Sequence, residues 1–280
     1  MAKNNLKKLL EAYLSIEKIK LVPSSFDVVG SIAIVEFPEK LKKDKKIIAK
    51  AMLDVHKNIK TVLEKVSERK GKLRLRQHKF LAGQKNSETL HKEYGCVFKV
   101  DPTKVYFSPR ELTERQRIAE QVKPKESILV PFSGISPFPI VIAKKQSLVK
   151  EIYAIELNPT AHKYALENIR LNKVSNKINL IQGDVKKVCP RLKKKFNRII
   201  MPLPKGGYEF LNFIMPCLKN NGIVHFYYWA SEDNLFTDAR KIIKRTALKF
   251  NKKFRILNKK KVLPFGPRKW KIVLDVSFFK

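Results

Sequence analysis

Residues 127–159 read SILVPFSGISPFPIVIAKKQSLVKEIYAIELNP, and this stretch decides the fold. An apolar run over 127–132 stops at Ser133-Gly134, a helical segment follows over 138–145, and a second apolar run over 151–156 ends on Glu156. Strand, tight turn, helix and strand in so short a span form the βαβ unit of a parallel sheet. Small residues in the first turn let a nucleotide-like ligand approach the backbone. Ser133, Gly134 and Ser136 suit that purpose, although one glycine is also all that an ordinary βα connection needs. Glu156 follows Gly134 by 22 residues, close to the ~20 expected of a strand-end carboxylate that accepts ribose hydroxyls.

The alternation continues outward. Helix 159–172, strand 177–182, strand 196–203, helix 207–219, strand 222–229 and helix 232–248 follow, with closing β runs near 253–259 and 270–279. Repeated βα units of this length build a mostly parallel sheet covered on both faces, and the closing pair adds an antiparallel edge. This is an α/β architecture shared by Rossmann-like methyltransferases. Upstream the pattern differs. Leu6, Leu9, Leu10 and Leu14 place a basic helix or arm over 1–20, broken at Pro23-Ser24-Ser25. Residues 21–105 read as a small α+β domain: a strand over 32–37, a long basic helix over 41–69, and β segments over 72–82 and 95–100. A polar loop holding Ser87, Glu88, Thr89 and His91 joins the last two. Residues 106–280 form the main domain, entered through a helix over 112–122.

Charge is the strongest compositional signal. Among 280 residues, 60 Lys and Arg face 25 Asp and Glu, a formal +35. Such self-repulsion is relieved by a polyanion, and nucleic acid is the natural one because neutralised phosphates release counterions. Lysine inflation of thermal or genomic origin usually brings glutamate with it, which is not the case here. Cys96, Cys189 and Cys217 are too widely spaced for a metal knuckle or a disulfide framework, so a reducing cytoplasm is expected. The start lacks a signal-peptide pattern, no apolar run approaches a membrane span, and neither metal nor membrane is expected.

Three further segments bear on chemistry. Gly183-Asp184 follows strand 177–182, where a carboxylate can take an adenine amine or simply cap a helix. Met201-Pro202-Leu203-Pro204 forms a rigid loop that could hold a planar base or merely end a strand. Tyr106-Phe107-Ser108-Pro109-Arg110 leads into a helix carrying Glu114 and Arg115 in its first turns, where a carboxylate suits the dipole, although Glu114 fits equally a surface helix position paired with a nearby Arg.

Together these segments resemble the archaeal and eukaryotic tRNA guanosine-37 N1-methyltransferase family. The stretch from Tyr106 to Arg115 is similar to its Phe-Ser-Pro-Arg…Glu-Arg signature. Ser24–Ala33, Leu81-Ala82-Gly83, Glu88–His91, Lys99-Val100-Asp101, Met201–Lys205 and Gly266-Pro267-Arg268-Lys269-Trp270 are also similar, so the resemblance covers about residues 20–280. It implies a Rossmann-like class I methyltransferase domain with a seven-stranded, mostly parallel sheet, preceded by the smaller α+β domain. It implies S-adenosylmethionine as cofactor and the tRNA anticodon loop as partner, for a monomer. Glu114 would remove the guanine N1 proton, and Arg74 or Arg76 would face the charge that develops on O6. Tyr106, Arg110, Ser133, Gly134, Glu156 and Asp184 would line the cofactor site. Arg115, Pro202 and Pro204 would hold the substrate.

Departures from the family pattern are Val130 where an acidic residue usually ends the first strand, Ser136 where Gly is common, Pro202 where Asn is frequent, and a missing or shortened N-terminal domain. Methylation of a wyosine precursor at the same nucleotide, aminocarboxypropyl transfer from the same cofactor, and a non-enzymatic tRNA-binding protein remain as alternatives.

Overall fold

The computed structural model describes residues 2–67, 71, 73 and 75–280. They divide into two units, Met1–Pro109 and Arg110–Lys280.

The first unit opens with helices α1 (Ala2–Leu10) and α2 (Ile16–Leu21). Leu6, Leu10 and Leu14 are buried and share one core with Val35, Ile48, Met52 and Val62, so the leucine spacing marks a packed element of this unit. Strands β1 (Asp27–Val29) and β2 (Ile32–Val35), helix α3 (Lys45–Val55), and strands β3 (Thr61–Lys65) and β4 (His78–Gly83) follow. They form a sheet in the order β1-β2-β3-β4, with β2 and β3 parallel and the other pairs antiparallel.

The expected helix over 41–69 is thus two elements, α3 and β3. Ile59, Val62 and Val66 keep a three-or-four spacing that continues the helical pattern. Thr61, Val62 and Leu63 are instead buried in a strand between β2 and β4, where β-branched side chains pack well.

The expected polar loop around 87–91 is also partly strand. β5 (Thr89–Glu93) pairs antiparallel with β6 (Cys96–Val100). Its polar residues have structural work: Thr89 Oγ1 accepts from Ser31 N at 3.0 Å, and His91 Nδ1 accepts from Gly30 N at 3.1 Å. Gly30 has φ +56°, and a Cβ there would fall 2.3 Å from Thr89 Oγ1, so this close approach requires glycine.

The second unit runs α4 (Leu112–Gln121), β7 (Ser127–Pro131), α5 (Pro137–Lys145), β8 (Glu151–Glu156), α6 (Pro159–Leu171), β9 (Ile178–Gln182), α7 (Val185–Arg191), β10 (Phe196–Met201), α8 (Leu211–Ile214), β11 (Leu218–Ser231), α9 (Thr237–Lys249), β12 (Lys253–Gly266) and β13 (Lys269–Phe279). The sheet order is β12-β13-β11-β10-β7-β8-β9. Strands β9, β8, β7, β10 and β11 are parallel, while β13 is antiparallel to β11 and to β12. This is the expected seven-stranded, mostly parallel sheet with an antiparallel edge. The chain leaves β7 to one side for β8 and returns on its other side as β10, which opens a crevice at the strands' carboxyl ends.

Three details differ from expectation. Helix α7 (Val185–Arg191) has no range in the sequence reading, although Asp184, considered as a possible helix cap, heads it. The helix expected over 207–219 is only the single turn α8 between 3-10 turns, because Pro216 withholds the amide that would bond back into the preceding turn. β12 extends to Gly266, because the run Lys259-Lys260-Lys261 hides its alternation. Among the described residues no helix is long and apolar enough to cross a membrane.

Leu10 is fully buried, whereas Ile16 is 75% exposed. Leu10→Ala should destabilise the first unit by about 3 kcal/mol, and Ile16→Ala by less than about 0.5 kcal/mol, as read by denaturant unfolding.

Candidate active site

The loop after β7 has an unusual backbone. Phe132, Gly134 and Ser136 have φ of 61°, 57° and 63°. Left-handed conformation in a non-glycine residue costs roughly 1–2 kcal/mol, so two such residues need compensation. Hydrogen bonds supply it. Ser133 N donates to Ile155 O at 2.9 Å, and Gly134 N donates to Glu156 Oε2 at 2.7 Å. Glu156 Oε1 accepts from Asn158 N at 2.7 Å, so one carboxylate ties the loops after β7 and β8 together. Burial pushes the Glu156 pKa up, against the opposing pull of these backbone amides.

The hydroxyls of Ser133 and Ser136 are buried and have no hydrogen-bond partner among the described residues. Ser136 heads α5 without capping it. An unpaired buried hydroxyl costs roughly 1–3 kcal/mol. Two of them stand on a strained loop at the switch point of the sheet. Val130 is fully buried inside β7, so its side chain belongs to the sheet interior.

Asp184 heads α7, its Oδ1 accepting from Lys186 N at 2.9 Å. The capping role considered from sequence is therefore present. After β10, Pro204 is buried and Pro202 half-buried, and Gly206 turns the chain at φ 74°. The loops bearing Ser133, Glu156, Asp184 and Pro202 thus all follow carboxyl ends of parallel strands.

Glu114 lies on α4 and is 1% exposed. Its Oε1 accepts from Tyr227 Oη at 2.6 Å and from Arg117 Nη2 at 2.7 Å, and its Oε2 accepts from Arg117 Nε at 2.8 Å. Lys260 Nζ stands 3.8 Å from Oε2. Burial, with the negative charge of Glu114 and the hydrogen bond to it, raises the Tyr227 pKa well above normal, so this phenol is a donor. Arg117 also pairs with Asp275 at 2.6 Å, and Asp275 accepts from His225 Nδ1 at 2.6 Å. Arg198 Nη1 lies 2.7 Å from His225 Nε2. An arginine can only donate, so Nε2 accepts, the proton sits on Nδ1, and His225 is neutral.

Arg115 is buried at 2% exposure, and Arg110 is exposed in the short turn before α4. In the first unit, Arg76, His78, Tyr106 and Phe107 line one cleft. Arg74 lies outside the described residues.

Sequence reasoning missed Arg117, Tyr227, Lys260, Asp275 and His225. Arg117 was accessible as the i,i+3 partner of Glu114. A His, a Tyr and an Asp inside the apolar runs of β11 and β13 were the other signal, since buried polar groups need partners.

The TRM5/TYW2 methyltransferase domain model matches residues 89–257, and the TYW2 N-terminal domain model matches residues 6–87. The tRNA (guanine(37)-N(1))-methyltransferase Trm5b of Pyrococcus abyssi is 40% identical over 261 residues, covering 92% of this chain and 77% of the relative. Its crystal structure superposes with a TM-score of 0.86 at 37% identity, over 95% of this chain and 78% of that one. The tRNA (guanine(37)-N(1))/4-demethylwyosine(37)-methyltransferase Taw22 of Nanoarchaeum equitans is 34% identical, covering 78% of this chain and 88% of the relative. The crystal structure of Pyrococcus horikoshii TYW2 in complex with MeSAdo has a TM-score of 0.83 at 28% identity, over 99% of both chains.

The buried network sets a pH dependence. Burial lowers the His225 pKa, outweighing Asp275 beside it. Burial would raise the Asp275 carboxyl, but His225 and Arg117 hold it well below the usual range. Both groups bind more protons unfolded than folded, so both lose stability as pH falls, His225 below about 6.5 and Asp275 below about 3.9. The thermal midpoint should drop between pH 7 and pH 5, and His225→Gln should flatten that drop.

Proposed function

Because the chain belongs to the TRM5/TYW2 methyltransferase family, we propose that it uses S-adenosylmethionine to methylate N1 of guanosine 37 in the tRNA anticodon loop, with a wyosine precursor at the same nucleotide as a second substrate. One observation carries the reading: Glu114, the signature carboxylate, is buried and oriented by Arg117 and Tyr227.

The cofactor fits the residues present. Ser133 and Ser136 offer hydroxyls that lack protein partners, Glu156 offers a carboxylate to ribose hydroxyls, and Asp184 offers Oδ2 to an adenine amine. Gly134 keeps the loop thin, and Pro202 and Pro204 shape the neighbouring wall for a planar base. When bound, S-adenosylmethionine supplies an electrophilic methyl group on a sulfonium.

The remaining chemistry belongs to the protein. N1 of neutral guanine carries a proton, so its lone pair is poorly nucleophilic until a base removes that proton. Glu114 Oε1 already accepts two hydrogen bonds and Oε2 one from Arg117, so Oε2 receives the proton. Proton removal pushes negative charge onto O6. Lys260, close to Oε2 and 42% exposed at its side chain, loses its counter-charge as Glu114 becomes neutral, and its ammonium then turns to that oxygen. Arg76 and Tyr106, in the first unit's cleft, supply a cation and an aromatic face of the kind that holds a nucleotide. The +35 charge supplies affinity for the phosphate backbone.

A second reading, aminocarboxypropyl transfer to the same tRNA nucleotide, is favoured by the match to TYW2 over 99% of both chains and by the TYW2 N-terminal domain model at residues 6–87. Mass spectrometry of nucleosides decides, after reaction with tRNA carrying either guanosine or the wyosine precursor at position 37. A methyl gain supports the first reading, the larger group the second, and no gain with either tRNA sinks both.

Two variants probe the site. Glu114→Gln should slow single-turnover transfer by about 10²–10⁴-fold while tRNA affinity stays within about threefold. Collapsed binding with normal transfer by the bound complex would exclude Glu114 as the base. Ser136→Ala should weaken S-adenosylmethionine binding in calorimetry without lowering the melting temperature of the ligand-free protein, since the lost hydroxyl had no partner.

A further inference from the structure

We propose that Phe265, near the tip of the β12–β13 hairpin, and Trp229, on the neighbouring strand β11, form a stacking surface for a nucleobase of the RNA loop that carries the modified nucleotide. The inference deepens the tRNA reading above and rests on it.

The rings of Trp229 and Phe265 lie 3.8 Å apart, centroid to centroid. Phe265 is 52% exposed at the end of β12. A large apolar ring held at the surface against a second ring is costly in water, and aromatic faces of this kind are what bases stack on. The indole Nε1 of Trp229 is buried and has no hydrogen-bond partner among the described residues, so a polar group is still wanted beside the platform.

The surroundings are cationic. Lys260, cross-strand from Val273 as Tyr227 is, lies on the face of Trp229, and Lys269 and Arg268 are exposed at the turn. Glu232 and Asp233 also reach the tip, pairing with Lys261 at 3.5 Å and Arg268 at 2.6 Å. Lys269 and the lysines along β12 leave an excess of positive charge. Interleaved aromatic and basic residues suit a single strand, whose bases are unstacked and whose phosphates stay accessible.

Topology places this surface beside the chemistry. β11 is parallel to β10 and pairs with β13 without a bulge from Gly222 to Ser231. Trp229 is therefore near the carboxyl end of β11, at the sheet edge that carries the loops of Ser133, Glu156 and Pro202. It is two residues beyond Tyr227, and successive same-face residues stand about 7 Å apart along a strand. Tyr227 is the residue whose hydroxyl holds Glu114. The platform consequently shares a sheet face with the proposed base and lies within one nucleotide's reach of it. The motif Gly266-Pro267-Arg268-Lys269-Trp270 is the hairpin's turn: Arg268 adopts φ 52°, and Trp270 pairs with both Ala230 and Pro264, which fixes Phe265 over Trp229.

The test measures binding of an anticodon stem-loop RNA and, as a control, of a fully paired hairpin of the same length. Phe265→Ala should weaken stem-loop binding by about tenfold, leave binding of the paired hairpin unchanged, and leave the salt slope unchanged. Phe265→Tyr should restore affinity. Lys269→Ala should instead flatten the slope, by about one unit in log–log form. In a Trp270→Phe background, Trp229 fluorescence should be quenched by the stem-loop and not by the paired hairpin. Equal loss for both RNAs, or no loss with Phe265→Ala and unchanged Trp229 fluorescence, overturns the inference. Phe265 is a surface residue, and S-adenosylmethionine affinity reports whether a variant is intact. The two readings fail separately. A wild-type protein that transfers no group yet binds the loop through Phe265 leaves this inference standing. One that transfers normally and is indifferent to Phe265→Ala leaves the enzyme reading standing alone.

Discussion

Arg117 is shared between two buried carboxylates, Glu114 on its own helix and Asp275 on β13. A guanidinium held between two carboxylates in a low-dielectric interior leaves none of them stable alone, since an unpartnered buried charge costs several kcal/mol. The consequence is geometric. Helix α4 is tied to β11 and β13 through Tyr227 and Asp275, and the angle of Glu114 is set from outside its own helix. His225 continues the network to Arg198 and Glu126, so the head of α4 and the centre of the sheet form one hydrogen-bonded body.

The cofactor side is built on the opposite principle. The β7 loop is strained, its serine hydroxyls have no partner among the described residues, and the Glu156 carboxylate bridges it to the next loop. Stability is withheld there and supplied by the buried network and the apolar core, which is how functional sites and scaffolds commonly divide their roles. The same chain therefore has a rigid end that orients the proposed proton acceptor and a strained end at the proposed cofactor site.

The main sheet was legible because its signals were local. Residues 127–159 carry a strand, a turn and a helix whose types do not depend on distant partners, and Gly134 and Glu156 lie where a nucleotide crevice needs them. The first unit was harder to read. Ile59, Val62 and Val66 fit a helix as well as they fit the sheet, and only the slot between β2 and β4 decides for strand. Thr89 and His91 looked like loop residues because their partners, Ser31 and Gly30, lie about sixty positions away. Glu114 could be singled out from its signature, but its restraint by Tyr227 spans 113 positions, and no local pattern encodes that.

The lysine run of β12 has a meaning apart from any ligand. β12 is the outermost strand of the seven-stranded sheet, and a long edge strand exposes unpaired amides and carbonyls to any other extended chain. Lys259, Lys260 and Lys261 line that rim with like charge, a known means by which sheets refuse edge-to-edge joining. Two such rims repel each other, whereas a polyanion lying along one would screen it. Like charge along this rim opposes pairing between copies, and salt or a bound polyanion would weaken that opposition.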